Sequence, residues 1–286
     1  MEGLDSKRVR EYARRFIREF GFPAGAHLNL ESGIPAHVGL GSGTQLALAV
    51  GTALASLSRR TIGIQEIALA VGRGVHSGIG ISTFRHGGFV LDGGRRIISK
   101  DSYSGSATIT DRILEKDRVP PVLFQRSVPK SWYFVVVIPK ADPGLSGKKE
   151  TDAFIKLPQA PSRIVEKISR IVLIKMLPAL MERDITGFGR AMTDIQYLVG
   201  DCFASIQGGR FANPISEKIV DFMLSQGAAG IGQSSWGPTV YGLVGAKVPA
   251  QKLLQKVQSY MDTLGKGQAF LVQPQNHGAQ VAIIRR

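Results

Sequence analysis

Residues 37–54 read HVGLGSGTQLALAVGTAL, in which Gly39, Gly41 and Gly43 stand directly before a run of small apolar residues. Glycines ahead of a helix leave backbone amides accessible, and these amides and the helix dipole together favour an anion at that point. Phosphate is therefore the first candidate ligand. A tight packing turn is the alternative, because no lysine follows the glycines as it does in a P-loop.

The segments around this glycine turn read as a strand and helices. The residues AHLNLESGIP, 26–35, alternate as a strand does, and Thr44 to Leu57 is a helix rich in Ala and Leu. Before them, the apolar residues of SKRVREYARRFIREFG, 6–21, recur at helical spacing until Gly21 ends the pattern. The order strand, glycine loop, helix places the glycine amides at the start of a helix.

The composition restricts the partners and the compartment that we expect. Lys and Arg outnumber Asp and Glu 36 to 22, and the resulting formal charge of +14 attracts anions. The basic residues are scattered and are not interleaved with aromatic ones, which disfavours nucleic acid as the partner. A small phosphorylated substrate explains the charge about as well. No apolar run approaches the roughly 20 residues that span a bilayer, which predicts no membrane contact. Cys202, the single cysteine, excludes an intrachain disulfide and fits a reducing cytoplasm.

The second half of the sequence predicts a separate layer of helices and strands. Residues 132–139, WYFVVVIP, form the most apolar strand, and a loop rich in turn-forming residues follows it. We therefore place a domain boundary here and expect domains at 1–140 and 141–286. Beyond the boundary, helices and strands alternate as in a split βαβ layer. The expected helices cover about 161–181, 184–203, 214–226 and 250–264, and the expected strands are one at about 239–245 and two that close the chain.

Two glycine motifs resemble those of a known superfamily. The stretch PAHVGLGSGTQLALAV, 35–50, is similar to the first conserved motif of the GHMP kinase superfamily, whose loop wraps a nucleotide's phosphates. The stretch GAAGIGQSSWGPTVYGLV, 227–244, resembles the third motif of the same superfamily. The resemblance implies an α+β, GHMP kinase-like fold of two domains, with a ferredoxin-like carboxy-terminal domain and the active site in the cleft between the domains.

The middle of the sequence departs from the kinases of this superfamily. In kinases of the mevalonate kinase type, a Pro-Ser-Gly-x-Asp segment supplies the aspartate that helps to deprotonate the substrate hydroxyl. The matching segment here is HSGIG, 76–80, and Gly80 takes the place of that aspartate. A carboxylate base is thus absent where phosphate transfer would need one. This disfavours an ATP-dependent small-molecule kinase but leaves it as an alternative.

Longer segments resemble the β-ribofuranosylaminobenzene 5′-phosphate synthases, which share the fold but are not kinases. The segments that carry this likeness include GRGVHSGIGISTFRHGGFVLDGG, 72–94, and SSWGPTVYG, 234–242. The resemblance implies a decarboxylating glycosyltransferase that condenses phosphoribosyl pyrophosphate with 4-aminobenzoate and releases carbon dioxide and pyrophosphate. It places this reaction early in methanopterin synthesis in archaea and some bacteria. It also implies Mg²⁺ with the pyrophosphate substrate, and a homodimer.

The residues that suit this chemistry fall in the matched segments. Catalysis would consist mostly of stabilising the leaving pyrophosphate and aligning the aromatic ring. Arg85 and His76 are the expected catalytic residues, and Asp92 is the expected ligand of Mg²⁺. The expected substrate- and phosphate-binding residues are Gly39, Gly41, Ser42, Gly43, Thr44, Arg73, Ser77, Gly78, Ser234, Ser235 and Gly237.

These residues also have ordinary structural explanations. Arg73 and Arg85 suit solvated loop or helix-end charges. Asp92 suits a turn, and His76 suits a structural histidine. The loop SGKKE, 146–150, is either a mobile lid whose lysines meet phosphate or a solvated loop. A non-catalytic module that binds anions or nucleic acid is the alternative to an enzyme.

The resemblance also implies a segment before the first motif. The synthases begin with an additional stretch of Arg-Leu-His-Phe-like wording, whereas 34 residues precede Pro35 here. We therefore expect the amino-terminal domain to be short and incomplete at its start.

Overall fold

The computed structural model describes residues 2–3, 5–21, 25–74, 77–94, 97–99, 112–114, 119–141, 153, 157–265, 267–282 and 284. The chain divides into two compact units. Unit 1 comprises Met1–Ala36, Gly41–Ser127 and Gln275–Arg286, and unit 2 comprises His37–Leu40 and Val128–Pro274. This division differs from the expected domains, 1–140 and 141–286. The strand at Tyr133–Pro139 pairs with strands near the carboxy end of the chain and so belongs to unit 2.

Unit 1 combines helices with short strands. Its described elements are β1 (Glu2–Gly3), α1 (Ser6–Phe20), β2 (Asn29–Leu30), α2 (Ser42–Leu57), α3 (Ile64–Ala70), α4 (Ile79–His86), β3 (Phe89–Asp92), β4 (Ile97–Ser99), β5 (Arg112–Leu114) and β6 (Val122–Arg126). Strands β1 and β2 pair in parallel, and β3 with β6 and β4 with β5 pair antiparallel. The strand expected over residues 26–35 is reduced to the two residues of β2.

Helix α2 lies at the centre of the unit 1 core. Its Leu48 and Leu54 side chains are fully buried, as is Phe16 of α1. A Cβ atom on Gly51 would overlap the Ile67 side chain of α3, so the small residue permits a close approach of the two helices. The Ala- and Leu-rich sequence of α2 thus packs on both neighbours, and this packing fixes the position of its amino-terminal end.

Unit 2 is a four-stranded sheet with helices. Its described elements are β7 (Tyr133–Pro139), α5 (Ser162–Ile171), the π-helix Val172–Met176, α6 (Leu177–Glu182), α7 (Ile185–Gln207), α8 (Pro214–Ser225), β8 (Gly230–Gln233), β9 (Val240–Val244), α9 (Lys247–Leu264) and β10 (Gly267–Val272). The strand order is β10-β7-β9-β8, and each neighbouring pair is antiparallel. This is the order of a split βαβ layer, which confirms the ferredoxin-like carboxy-terminal domain.

The core of unit 2 lies between this sheet and helices α8 and α9. Val135 and Val137 alternate on β7 and are fully buried, together with Met223 of α8 and Val257 of α9. Helix α7 approaches β8 through glycine, since a Cβ on Gly189 would overlap the backbone of the residue before β8. The start of β8 is therefore held against α7.

Two expectations about strands are wrong in the described part of the chain. One strand, β10, follows α9 where two were expected, and residues 273–282 contain none. Ala279 in this segment donates its amide to the Phe84 carbonyl at 2.7 Å, so the segment packs on α4 of unit 1. The sequence reading also misses β8, because the glycines in GIGQ resemble a loop.

Further expectations concern membrane contact, location in the cell and oligomeric state. Among the described helices, none is long and apolar enough to cross a membrane. The expected cytoplasmic location and the expected homodimer stay predictions.

Candidate substrate-binding site

The glycine turn leads into the amino-terminal end of α2, which no side chain caps. Gly41 occupies the N-cap with a φ of 69°, in the left-handed region that glycine adopts without strain. Its carbonyl accepts hydrogen bonds from the amides of Thr44 and Gln45 at 3.0 and 3.1 Å. The amides of Ser42 and Gly43 come before the first helical hydrogen bond. The predicted order of glycine loop and helix is confirmed, and the helix begins two residues earlier than expected.

Arg73 lies beside this helix end. A Cβ atom built on Gly43 would stand 2.9 Å from Arg73 Nη2, so the guanidinium packs directly against the glycine. The guanidinium also lies over the Tyr12 ring, with its carbon 5.2 Å from the ring centroid, and donates a hydrogen bond to the Tyr12 hydroxyl. Its Nε is buried without an acceptor among the described residues. Tyr12 of α1 therefore holds the guanidinium at the start of α2.

The charge of Arg73 has no acidic partner in the described part of the chain. The ion pairs found there use Arg8, Arg15 and Arg210. A cation at the positive end of a helix dipole is unfavourable, whereas an anion at that point is attracted by the dipole and by the guanidinium. We call Gly41 to Thr44 together with Arg73 the α2 anion site.

The first turn of helix α4 packs on Thr44. The residue of α4 that makes this contact is Gly80, which matches the aspartate of the kinases. A Cβ atom built on Gly80 would lie 3.1 Å from Thr44 Cγ2, which is tighter than an ordinary contact. The Gln45 side chain donates a hydrogen bond to the Gly80 carbonyl at 2.9 Å. A side chain at residue 80 would therefore need Thr44 to shift by a few tenths of an ångström.

The Asp92 carboxylate accepts hydrogen bonds at the start of α4. Its Oδ2 accepts hydrogen bonds from the Ser77 hydroxyl and the Gly78 amide, both at 2.9 Å, and its Oδ1 accepts one from the Gly94 amide at 3.1 Å. The Ser77 hydroxyl in turn accepts from the Ile79 amide at 3.2 Å. The start of α4 is thus satisfied by side chains, in contrast to the start of α2. Among the described residues no three His, Cys, Asp or Glu side chains converge on Asp92, and its role as a ligand of Mg²⁺ stays a prediction.

Of the two expected catalytic residues, the structure describes Arg85. Arg85 is exposed in the last turn of α4, where a cation suits the negative end of the helix dipole. No described hydrogen bond or ion pair joins its side chain to the α2 anion site, and its catalytic role stays a prediction. His76 and the loop at 146–150 lie outside the described residues.

In unit 2, two glycines of the matched motifs pack backbone against backbone. A Cβ atom on Gly39, whose φ is 92°, would overlap the Ser234 carbonyl oxygen, and one on Gly237 would overlap the Val38 carbonyl. The Ser234 hydroxyl donates a hydrogen bond to the Gly39 carbonyl at 2.9 Å. The structure therefore brings Gly39, Ser234 and Gly237 together. It uses the Ser234 hydroxyl proton to hold the first glycine motif, which limits its use as a phosphate donor.

Ser235 is the exposed residue of the second motif. Its φ of 56° lies in the left-handed region, which is uncommon for a residue other than glycine. Its carbonyl accepts a hydrogen bond from Gln233 Nε2 at 2.8 Å. Sequence reasoning misses Gln233, although its place inside the matched motif, directly before Ser234, marks it for attention.

Two family models match the regions that hold these features. The GHMP kinases N terminal domain matches residues 7–88, and the GHMP kinases C terminal domain matches residues 176–263. The first match contains the α2 anion site and the start of α4. The second contains Gln233, Ser234, Ser235 and Gly237.

Curated relatives cover most of the chain. A β-ribofuranosylphenol 5′-phosphate synthase from Methanothermobacter thermautotrophicus is 35% identical over 272 residues, which are 95% of this chain and 78% of the relative. A protein of the same name from Methanocaldococcus jannaschii is 34% identical over 263 residues, 90% of this chain and 74% of the relative. A solved homoserine kinase from Cytophaga hutchinsonii has a TM-score of 0.64 at 17% identity and covers 95% of this chain and 77% of its own. At this identity the structural likeness shows the fold alone.

Proposed function

Because this chain belongs to the β-ribofuranosylphenol 5′-phosphate synthase family, with both domains of the GHMP kinases, we propose that it transfers a ribose 5-phosphate unit to a benzene ring. It is an enzyme of the pentosyltransferase type. The proposed donor is phosphoribosyl pyrophosphate, and the proposed acceptor is a benzoate with an electron-donating group in the para position. The reaction releases carbon dioxide and pyrophosphate, and we assign it to methanopterin synthesis.

The observation that carries this proposal is the packing of Arg73 against Gly43 at the uncapped start of α2. The backbone amides of Ser42 and Gly43 and the guanidinium supply the kind of donors that a phosphate group needs. Negative charge builds up on pyrophosphate as its bond to the ribose breaks. Donors fixed in advance would therefore stabilise the transition state more than the bound substrate.

The proposed bond changes do not require a carboxylate base. The bond between the anomeric carbon and pyrophosphate breaks, and the ring carbon that bears the carboxylate forms a new bond to the anomeric carbon. Carbon dioxide then leaves, and the electron pair of its bond restores the aromatic ring. No hydroxyl proton has to be removed before the attack, which agrees with the contact between Gly80 and Thr44. A kinase of the mevalonate kinase type would need a carboxylate base where this chain has Gly80.

The proposed Mg²⁺ fits best as part of the substrate. Asp92 already accepts hydrogen bonds on both carboxylate oxygens, and no cluster of acids surrounds it in the described part of the chain. We therefore propose that the pyrophosphate oxygens hold the Mg²⁺. When bound there, the ion neutralises part of the charge of the leaving group.

The para substituent separates two candidate acceptors. The sequence resemblance implies 4-aminobenzoate, whereas the name of the curated relatives specifies a phenol, which the same chemistry would form from 4-hydroxybenzoate. Amino and hydroxyl groups both donate electrons into the ring and stabilise the intermediate formed by the attack. We propose 4-aminobenzoate as the acceptor and keep 4-hydroxybenzoate as the second candidate.

A competition experiment tests the proposal. The protein is incubated with phosphoribosyl pyrophosphate, Mg²⁺ and equal concentrations of the two benzoates, and the products are identified by mass spectrometry. We expect a ribofuranosylaminobenzene 5′-phosphate. Formation of only the phenol product would reassign the acceptor, and the absence of both products with fully folded protein would overturn the proposed function.

A further inference from the structure

The loop between β8 and β9, Ser234 to Thr239, is closed by several hydrogen bonds. The Ser234 amide donates to the Thr239 carbonyl at 2.8 Å, and the Gly237 amide donates to the Ser234 carbonyl at 3.3 Å. The buried Ser216 hydroxyl donates to the Pro238 carbonyl at 2.7 Å. Residues 236–239 are buried, and Ser235 alone in this loop is exposed. We call these six residues the second glycine loop.

Gln233 connects this loop to two other segments of unit 2. Its Oε1 accepts a hydrogen bond from the Ala212 amide at 2.7 Å, and its Nε2 donates to the Ser235 carbonyl at 2.8 Å. The same Nε2 lies 3.4 Å from Gln207 Oε1. The backbone amide of Gln233 donates to Gln196 Oε1 at 2.9 Å. The carboxamide is thus held on both sides and has one orientation that satisfies all its partners.

The segment on which Gln233 rests is itself anchored. Arg210 makes a two-point contact with Asp201, with Nε to Oδ1 at 2.7 Å and Nη2 to Oδ2 at 3.2 Å, and lies over the Tyr197 ring. The hydrogen bond to Asp201 raises the pKa of Arg210. Gln207 donates to the Arg210 carbonyl at 2.9 Å. The proposed reaction assigns no substrate contact to the segment from Gln207 to Ala212, so its contacts with Gln233 are the role that the structure gives it.

The contacts of Gln233 bear on the conformation of Ser235. The two sides of a trans peptide point in opposite directions, and the described chain has no cis peptide. Because the Ser234 carbonyl is held inside the loop by Gly237, the amide of Ser235 points the other way. The Ser235 carbonyl is held by Gln233. The left-handed conformation strains any residue other than glycine, so these contacts must offset that strain.

We infer that Gln233 is a positioning residue, which holds Ser235 in the left-handed conformation so that its backbone amide binds a phosphate oxygen of the sugar substrate. The inference rests on the proposed function, since it takes phosphoribosyl pyrophosphate as that substrate. It adds a determinant of substrate affinity that lies one residue outside the predicted site. Gln233 itself does not touch the substrate.

The Gln233→Met variant removes the hydrogen bonds of the side chain with little change in volume. A hydrogen-bonding contact made equally in the bound substrate and in the transition state changes KM and leaves kcat the same. We expect KM and the calorimetric Kd for phosphoribosyl pyrophosphate to rise about tenfold, with kcat within about twofold of wild type. Gln258→Met is the matched control, because Gln258 also lies near a backbone carbonyl, 3.4 Å from that of Ala269, but on α9. The control should bind as wild type does.

A second substitution separates positioning from general stability. Glycine adopts a positive φ without support, so Ser235→Gly in the Gln233→Met background should recover at least part of the lost affinity. A merely structural Gln233 would not be rescued in this way. If Gln233→Met does not fold, Gln233→Glu replaces it, because it keeps the acceptor for Ala212 and loses the donor to Ser235.

The outcomes are distinguishable. Wild-type affinity in a folded Gln233→Met variant would overturn the inference and leave the proposed function in place. Weakened binding with an equal fall in kcat and no rescue by Ser235→Gly would also overturn it. Failure of the wild-type protein to bind phosphoribosyl pyrophosphate would instead contradict the proposed function, and the inference would fall with it.

Discussion

The guanidinium of Arg73 lies so close to Gly43 that a Cβ atom on the glycine would stand 2.9 Å from Nη2. The arginine is held there by the ring and hydroxyl of Tyr12, at a helix start that no side chain caps. Positive charge from the helix end and from the side chain therefore accumulates at one point. An anion is the ligand that such a point favours, and the proposed substrate carries a phosphate and a pyrophosphate.

Replacement of Arg73 tests this anion site. Arg73→Ala should weaken the binding of phosphoribosyl pyrophosphate about ten- to a hundredfold, since a hydrogen bond to a charged group contributes about 1.5–3 kcal/mol. Arg73→Lys should give an intermediate affinity, because it keeps the charge and loses the planar fork. Isothermal titration calorimetry measures both. Arg14→Ala, which removes an exposed charge of α1, is the control, and equal affinity of Arg73→Ala and wild type would contradict the site.

Gly43→Ala separates binding from folding. The new methyl group would displace the guanidinium, so we expect the affinity for phosphoribosyl pyrophosphate to fall about three- to tenfold. Alanine favours a helix over glycine by up to about 1 kcal/mol, so the free energy of unfolding should stay the same or rise. Urea denaturation and calorimetry on one preparation test both statements. A stabilised variant with unchanged affinity would show that the contact has no part in binding.

The glycines of the first motif should differ in their tolerance of alanine. Gly39 and Gly41 both have positive φ, but a Cβ on Gly39 would overlap the Ser234 carbonyl, whereas one on Gly41 would meet nothing within 4 Å. Gly41→Ala should cost about 1–2 kcal/mol of unfolding free energy from the backbone alone. Gly39→Ala should cost clearly more, because the overlap adds to the same backbone strain. Urea denaturation compares them, and equal destabilisation would argue against the packing of Gly39 on the second glycine loop.

Asp92→Asn tests whether this residue anchors α4 or binds metal. The hydrogen bonds from Ser77, Gly78 and Gly94 favour an anchoring role. We expect the Mg²⁺ concentration that gives half-maximal activity to stay within about twofold of wild type, and the unfolding free energy to fall by about 1 kcal/mol. Asp262→Asn on α9 is the control. A tenfold or larger rise in the Mg²⁺ requirement would make Asp92 a metal ligand, as the sequence analysis expects.

Much of the fold can be predicted from local sequence. The small apolar residues after the glycines predict helix α2, and the apolar run WYFVVVIP predicts the central strand β7. Both elements can be predicted because each pattern of buried residues lies within one short stretch of sequence. The alternation of helices and strands predicts the split βαβ layer, although it does not reveal β8. The strand expected at 26–35 fails because alternation alone does not provide a partner strand, and only Asn29 and Leu30 find one.

The arrangement of the candidate site depends on contacts that sequence spacing does not show. Arg73 and Gly43 can be named as phosphate ligands from their motifs, but their contact depends on Tyr12, which lies 61 positions from Arg73. The role of Gln233 depends on Ala212 and on Gln196, which comes from a helix 37 positions away. For Asp92, the sequence suggests a metal ligand, because a carboxylate in a turn can bind Mg²⁺. The structure shows instead that this carboxylate accepts hydrogen bonds from Ser77, Gly78 and Gly94, which sequence spacing does not reveal.

Coupled release of carbon dioxide and pyrophosphate distinguishes a decarboxylating synthase from a kinase and from an ordinary phosphoribosyltransferase. The protein is mixed with carboxyl-labelled 4-aminobenzoate, phosphoribosyl pyrophosphate and Mg²⁺, and both products are quantified over time, with carboxyl-labelled 4-hydroxybenzoate in a parallel reaction. In the reaction whose benzoate the enzyme accepts, we predict that carbon dioxide and pyrophosphate are released in equal amounts. We predict neither product when ribose 5-phosphate replaces phosphoribosyl pyrophosphate. Release of pyrophosphate without carbon dioxide would contradict the proposed reaction, because it would indicate transfer of the sugar without attack by the ring carbon that bears the carboxylate.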